Sequence, residues 1–73
     1  MSNNRPKWTP THHVTVTEPD EEVRSFPAMV VDDDKAYSEE EWSRGVPSPE
    51  VACDNERRWS YQGGRNRVIL TKI

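Results

Sequence analysis

The hydrophobic and polar positions of the chain form their clearest pattern at residues 57–73, where two runs rich in aromatic and β-branched residues flank a glycine pair. Gly63 and Gly64 can take positive φ at both central positions of a type I′ turn without steric conflict. The pattern therefore predicts a β-hairpin in which Trp59 faces Val68. One face of this hairpin would carry the aromatic side chains toward the core, and the other would carry arginines toward solvent or a partner.

Shorter alternating patterns predict two further strands. Residues 13–17 alternate apolar with β-branched polar side chains, which favours a strand with Val14 and Val16 facing inward. Residues 23–31 predict a second strand, in which Pro27 requires an edge or an irregular start because proline cannot donate to a ladder. These strands must pair with each other or with the hairpin, since a two-stranded hairpin alone is marginally stable.

One helix has a complete set of local signals. Ser38 can cap the amide three residues on while Glu41 reaches back, and Tyr37 with Trp42 fits a hydrophobic staple. Three glutamates suit the positive end of the helix dipole, and Gly45 is placed to be a left-handed C′ residue. These signals predict a helix of about two turns, which needs packing to persist.

Together the elements predict a small α+β domain, with an antiparallel sheet of three or four strands and one short helix against a face or edge. Residues 1–10 are polar, contain two prolines and offer only Trp8 for burial. They predict a flexible, disordered N-terminal arm, followed by a single domain over residues 11–73. The core must be small, since a domain of this size buries about 60% of the surface that its unfolded chain exposes.

Composition narrows the setting in which the protein works. Cys53 is the one cysteine among 73 residues, so no internal disulfide can form and a reducing compartment is favoured. The apolar run at residues 68–70 is far shorter than a membrane span. The first residues also lack the apolar stretch of a secretion signal. We therefore expect a cytoplasmic protein that makes no membrane contact.

The charges are segregated along the chain. The net charge is −3, composed of +2 over residues 1–17, −8 over residues 18–41 and +3 over residues 42–73. Such a dipolar distribution favours docking on a protein surface of mixed charge over coating of nucleic acid.

The residues that could support chemistry lack the required patterns. His12, His13 and Cys53 could supply zinc ligands, yet adjacent histidines on a strand point to opposite faces and the paired spacings of structural zinc sites are missing. A Cys53 nucleophile with a histidine base would need a motif and a cleft that the sequence does not indicate. The aspartates at 32–34 lack the spacing of an EF-hand loop, so a solvated turn is favoured. The sequence predicts no enzyme activity and no cofactor.

Arginines beside Trp59 and Tyr61 are typical of a base-stacking platform on single-stranded nucleic acid. The predicted hairpin, however, places arginines and aromatic rings on opposite faces, and the pI of 5.3 is far from that of a typical nucleic-acid binder. Direct contact with nucleic acid is therefore not expected. A small nucleic-acid-binding protein that uses the basic hairpin, or a structural or assembly protein, is kept as an alternative.

In its length, its opening Met1-Ser2-Asn3-Asn4, its Arg- and Trp-rich ending and its lack of enzyme motifs, the chain resembles a small transcription regulator of a lytic xanthomonad phage. The resemblance implies a protein of the host bacterial cytoplasm that binds the largest subunits of RNA polymerase. It also implies that this protein blocks promoter engagement by displacing the σ factor and lets elongating polymerase pass terminators. No motif assigns a role to any individual position.

The sequence thus predicts a monomeric, non-enzymatic binding module that inhibits transcription initiation and promotes antitermination by docking on bacterial RNA polymerase. The predicted interface consists of exposed charges on the hairpin and at the second turn. These residues are Arg58, Arg65, Arg67, Asp32, Asp33 and Asp34.

Overall fold

Six antiparallel strands and one short helix make up the protein in a computed structural model that describes residues 6–19 and 23–73. The strand order in the sheet is β5-β4-β3-β2-β1-β6, and the sheet curls into a nearly closed barrel-like shape. The elements are β1 (His12–Thr17), β2 (Arg24–Val31), β3 (Lys35–Tyr37), α1 (Glu39–Arg44), β4 (Val51–Cys53), β5 (Trp59–Tyr61) and β6 (Arg67–Lys72).

The predicted α+β domain with three or four strands is wrong, because the protein is mostly one six-stranded sheet with a single very short helix. Strands β1 and β2 were expected from their alternating patterns and are confirmed. The strands that the sequence pattern did not indicate are β3 and β4, each three residues long. Three residues are too few to display a convincing period of two. These strands are instead stabilised by pairing with their neighbours in the sheet, β3 with β2 and β4, and β4 with β3 and β5.

The curvature of the sheet originates in β2. Its first half pairs with β1 and its second half, from Met29 onward, pairs with β3. Ala28 and Met29 are both buried, so the alternation of inward and outward side chains breaks between them. Because β3 pairs only from Met29 onward, Pro27 lies on a part of β2 that has β1 as its one neighbour among the described strands. The predicted edge position of this proline is therefore confirmed.

The predicted C-terminal hairpin is wrong. Strand β5 pairs with β4, with Cys53 opposite Trp59, whereas β6 pairs with β1, with Val16 opposite Val68. A turn does form between β5 and β6, but its residues with positive φ are Gln62 (56°) and Gly63 (69°), one position earlier than predicted.

The side chain of Asn66 explains why β6 does not pair with β5. Its Oδ1 accepts a hydrogen bond from Tyr61 N, and its Nδ2 donates to Tyr61 O, both at 2.9 Å. These are the backbone groups that a hairpin partner would need. The side-chain amide therefore occupies the position of a partner strand, and β6 continues to β1 on the far side of the sheet.

The core lies inside the curled sheet and is small. Half-buried side chains from three strands extend it at its margins, namely Phe26, Val30, Trp59, Val68 and Leu70. The buried cluster itself comprises Val14, Val16, Ala28, Ala36, Val51 and Tyr61.

The predicted helix signals are confirmed in α1. Ser38 is the N-cap, its hydroxyl accepts from Glu41 N, and the Glu41 carboxylate accepts from Ser38 N at 3.0 Å. The rings of Tyr37 and Trp42 meet edge to face with centroids 5.1 Å apart. Gly45 has φ of 73° and donates back to the last helical turn. The helix packs against β2 and β3.

The predicted flexible arm at residues 1–10 lies partly outside the described residues, which begin at Pro6. Two tryptophans hold the described portion against the domain. Trp8 Nε1 donates to Tyr37 O at 2.9 Å, and Trp42 Nε1 donates to Pro6 O at 3.0 Å. These bonds bring residues 6–8 next to the paired rings of Tyr37 and Trp42.

Candidate docking surface

The predicted acidic patch lies at the turn between β2 and β3. Asp32 and Asp33 are exposed and have φ of 58° and 64°, a conformation that aspartate tolerates better than most residues. Asp34 is half-buried and binds Lys35 Nζ at 3.1 Å. The hydrogen bond and the charge of Asp34 raise the pKa of Lys35. Two of the three carboxylates thus remain available to a partner.

The predicted interface residue Arg58 lies on the turn between β4 and β5 and contacts acidic side chains there. Its guanidinium binds Asp54 at 3.3 Å and Glu56 at 2.6 Å. Asp54 also accepts the backbone N–H groups of Arg58 and Glu56, and these bonds, that of Arg58 first, lower the pKa of Asp54. Arg58 therefore helps to order its own turn, and its charge is partly neutralised by its neighbours.

The β2–β3 turn and the β4–β5 turn lie side by side. Asp33 O accepts hydrogen bonds from Arg57 Nη1 at 3.4 Å and from the Cys53 thiol at 3.7 Å. Cys53 N donates to Asp34 O at 3.0 Å. The structure thus brings Arg58 to the same end of the sheet as the acidic turn. Arg57, which was not among the predicted residues, makes the contact between the two turns.

Arg65 and Arg67 lie beyond the other end of β5. Both are exposed, and with Thr17, Glu18 and Pro19 they line an open depression of about 530 Å³. The predicted common face of Arg58, Arg65 and Arg67 is therefore wrong, because the hairpin that would have aligned them does not form. The charged residues instead lie at two separate ends of the sheet. Arg58 lies at the end with the acidic turn, and Arg65 and Arg67 form a largely basic end.

A cleft that the sequence did not predict lies between α1 and the sheet. Its volume is about 280 Å³, and Phe26 and Tyr61 contribute aromatic surface to it. Arg24 Nη1 donates to the Tyr61 hydroxyl at 3.0 Å, and its guanidinium carbon is 5.7 Å from the ring centroid. Charged side chains of both signs complete the lining: Arg24, Glu40, Arg44 and Glu50.

Burial and neighbouring charges in this cleft shift the pKa of Tyr61. Burial raises the pKa of its hydroxyl, the negative charge of Glu50 raises it further, and the positive charge of Arg24 opposes both. The phenol therefore stays neutral at physiological pH and serves as a hydrogen-bonding group. No local sequence signal could have revealed the cleft, because Arg24 and Tyr61 are 37 positions apart.

The residues considered for metal binding are dispersed in the fold. Within residues 6–19 and 23–73, no group of three or more His, Cys, Asp or Glu side chains is arranged to hold a metal ion. His12 and His13 are on β1, where His13 binds the Ser25 hydroxyl, and Cys53 is on β4. In the same described part of the chain, no helix combines the length and apolar character needed to cross a membrane.

Comparison of the chain with protein-family models, with curated proteins and with solved structures gives no match. We therefore infer the function from the residues and their geometry.

Proposed function

We propose that the protein is a non-enzymatic regulator that docks on bacterial RNA polymerase in the host cytoplasm, interferes with σ-factor and promoter engagement, and promotes antitermination. The observation that supports docking is the separation of surface charge. Asp32 and Asp33 are exposed at one end of the domain, and Arg65 and Arg67 are exposed at another. RNA polymerase is the proposed partner because the chain resembles the phage regulator in its length, its opening residues and its Arg- and Trp-rich ending.

The mechanism we propose is occupation of a surface. A domain of 73 residues with a small core can alter a much larger enzyme without chemistry of its own. A bound module that covers part of a σ contact raises the apparent Kd of σ by mass action. If the module stays on the polymerase during elongation, it also opposes the rearrangements that termination requires. A single monomer per polymerase is sufficient for both effects.

The alternative of a nucleic-acid binder with a stacking platform is not favoured by the geometry. Tyr61 is only 9% exposed, and Trp59 is half-buried against the core. Tyr61 therefore offers no free ring face to a base, and Trp59 exposes only part of its ring, whereas a stacking platform requires exposed aromatic faces.

The first experiment is a pull-down with the tagged protein from a bacterial lysate, with and without nuclease. We expect polymerase subunits to be retained after nuclease treatment. Recovery of nucleic acid alone, or of no polymerase, would overturn the proposal.

Charge-reversal variants then locate the docking surface. Arg65→Glu with Arg67→Glu alters the basic end, and Asp32→Lys with Asp33→Lys alters the acidic turn. Competition between each variant and σ for polymerase is the readout, with Arg44→Glu as a control for a change of charge elsewhere. We expect at least one pair to lose competition while Arg44→Glu retains it. If both pairs compete as well as the unaltered protein, neither charged end is the interface.

A further inference from the structure

Four charged side chains that have no ion-pair partner among the described residues meet at the cleft between α1 and the sheet. All four are exposed, and the ion pairs within residues 6–19 and 23–73 involve other side chains. A cleft whose charges neutralise one another in pairs offers little to a charged ligand, whereas both signs are available here. The four residues are Arg24, Glu40, Arg44 and Glu50.

On the sheet side of the cleft, opposite charges flank one phenol. Arg24 Nη1 donates to the Tyr61 hydroxyl at 3.0 Å, which uses one of the five N–H groups of the guanidinium. The pKa of Tyr61 is raised by burial first and then by the charge of Glu50, whose carboxylate faces the same hydroxyl. A guanidinium and a carboxylate thus lie on either side of one oxygen, and both have further capacity to bind a ligand.

The helix side of the cleft carries a second pair of opposite charges. Glu40 and Arg44 are four positions apart on α1, a spacing that places both on one face of the helix. Glu41 also lines the cleft, but both of its carboxylate oxygens already accept backbone N–H groups. Each side of the cleft therefore offers one cation and one anion to a ligand.

The floor of the cleft is apolar. Val51 is 1% exposed, Tyr61 is 9% exposed, and Phe26 is half-buried against the core. The volume of about 280 Å³ is just below the range of about 300–1,000 Å³ that is usual for drug-sized ligands. The cleft is therefore suited to a molecule with one aromatic ring and a short polar portion.

The arrangement of charges favours a ligand that carries both signs. A ligand with a single charge would be attracted by two of the four side chains and repelled by the other two, so that attraction and repulsion largely cancel. A zwitterion can direct its carboxylate to an arginine and its ammonium to a glutamate. In an α-amino acid these two groups are attached to the same carbon, which matches the guanidinium of Arg24 beside the carboxylate of Glu50.

We propose that the cleft binds a small zwitterion with an apolar side chain, of the class of the aromatic α-amino acids. The ligand carboxylate would bind the Arg24 guanidinium, its ammonium would bind the Glu50 carboxylate, and its ring would pack on Phe26. Glu40 and Arg44 would face the polar end of the ligand from the helix side. Binding at this site does not require RNA polymerase.

An NMR titration of the isotope-labelled protein with L-phenylalanine tests the proposal. Each of three control ligands lacks one part of this molecule: phenethylamine lacks the carboxylate, 3-phenylpropionate lacks the ammonium, and glycine lacks the ring. We expect L-phenylalanine to cause saturable shifts of the amides of Phe26, Val51 and Tyr61, with a Kd of about 1 mM for a ligand of this size in an open cleft.

The three control ligands show which parts of the molecule are recognised. Each should bind roughly tenfold more weakly than L-phenylalanine, because it loses either an ionic contact or the burial of the ring. Absence of saturable shifts with L-phenylalanine, or shifts confined to residues outside the cleft, would overturn the proposal. Equal binding of any control ligand would also overturn it.

Two variants of the cleft should change its selectivity in opposite directions. Arg24→Gln removes a positive charge and should shift the preference toward phenethylamine, whereas Glu50→Gln removes a negative charge and should shift it toward 3-phenylpropionate. Both should weaken binding of L-phenylalanine roughly tenfold. If the loss of the bond to Tyr61 unfolds Arg24→Gln, the change of preference in Glu50→Gln alone decides the outcome.

Matched controls make the same changes of charge outside the cleft. Arg67→Gln alters β6, and Glu56→Gln alters the turn between β4 and β5. Neither residue lines the cleft, so both variants should bind L-phenylalanine as the unaltered protein does. Equal weakening by the cleft variants and the controls, or cleft variants that keep the original preference, would contradict the proposal.

Discussion

Replacing Glu41 by glutamine isolates one contact on which the position of the helix depends. Glu41 is 6% exposed, and its two carboxylate oxygens accept from different backbone donors. One oxygen accepts from Ser38 N at 3.0 Å and the other from Glu50 N at 2.9 Å. A single side chain thus joins the start of α1 to the segment that leads into β4. The glutamine of Glu41→Gln can accept only one of these bonds and presents an NH₂ group to the other donor.

The expected loss of stability from Glu41→Gln is about 2 kcal/mol, since a hydrogen bond to a charged group contributes roughly 1.5–3 kcal/mol and a buried donor loses its acceptor. For a domain of this size such a loss lowers Tm by roughly 8–16 °C. Urea unfolding followed by tryptophan fluorescence measures it, with the midpoint falling and the slope unchanged. Glu40→Gln is the matched control, because Glu40 is in the same first helical turn but exposed.

The control removes the same favourable interaction with the helix dipole, so its effect should stay within about 0.5 kcal/mol. If the two variants lose equal stability, the buried carboxylate contributes nothing beyond its charge near the helix start. The contact between α1 and Glu50 would then have no measurable role in holding the cleft together.

Three further predictions follow from other contacts. Asn66→Ala should destabilise the protein by about 1–2 kcal/mol in urea unfolding, because Tyr61 N loses its acceptor and Tyr61 O keeps only the N–H of Gly64, whereas Asn66→Asp should lose only the bond that its carboxylate cannot donate. Gly45→Ala should cost about 1 kcal/mol in the same assay, because φ at this position is 73°. The pKa of Asp54 in an NMR titration should lie below its usual 3.8, since the backbone N–H of Arg58 favours the carboxylate. Its stabilising effect is then present above the unfolded pKa and lost as pH falls through the folded one, so Asp54→Asn should flatten that part of the stability profile.

The parts of the fold that the sequence predicted correctly are those encoded by neighbouring residues. The capping box of Ser38 and Glu41, the left-handed Gly45 and the alternation in β1 all act within a few positions. Each of these signals acts within its own element, and its effect does not depend on which other elements lie beside it. Local patterns can therefore identify the elements but not their neighbours in the sheet.

The predicted terminal hairpin was wrong because two glycines permit a tight turn but do not determine which strand pairs with which. The turn formed at Gln62 and Gly63, and Asn66 then satisfied Tyr61 in place of β6. The asparagine is visible in the sequence. Its side-chain amide can replace a partner strand, however, only where the fold brings it within hydrogen-bonding distance of Tyr61. The predicted common face of Arg58, Arg65 and Arg67 was wrong for the same reason, because these residues share a face only in the hairpin register.

The asparagine that takes the place of a partner strand at Tyr61 also affects the shape of the sheet. Strands β5 and β6 are the first and last strands of the sheet order, and they approach each other without sharing a ladder. Because Asn66 satisfies Tyr61 with a side chain, the sheet stops one ladder short of closure without leaving Tyr61 unsatisfied. The nearly closed shape of the sheet thus depends on a residue of the turn that precedes β6.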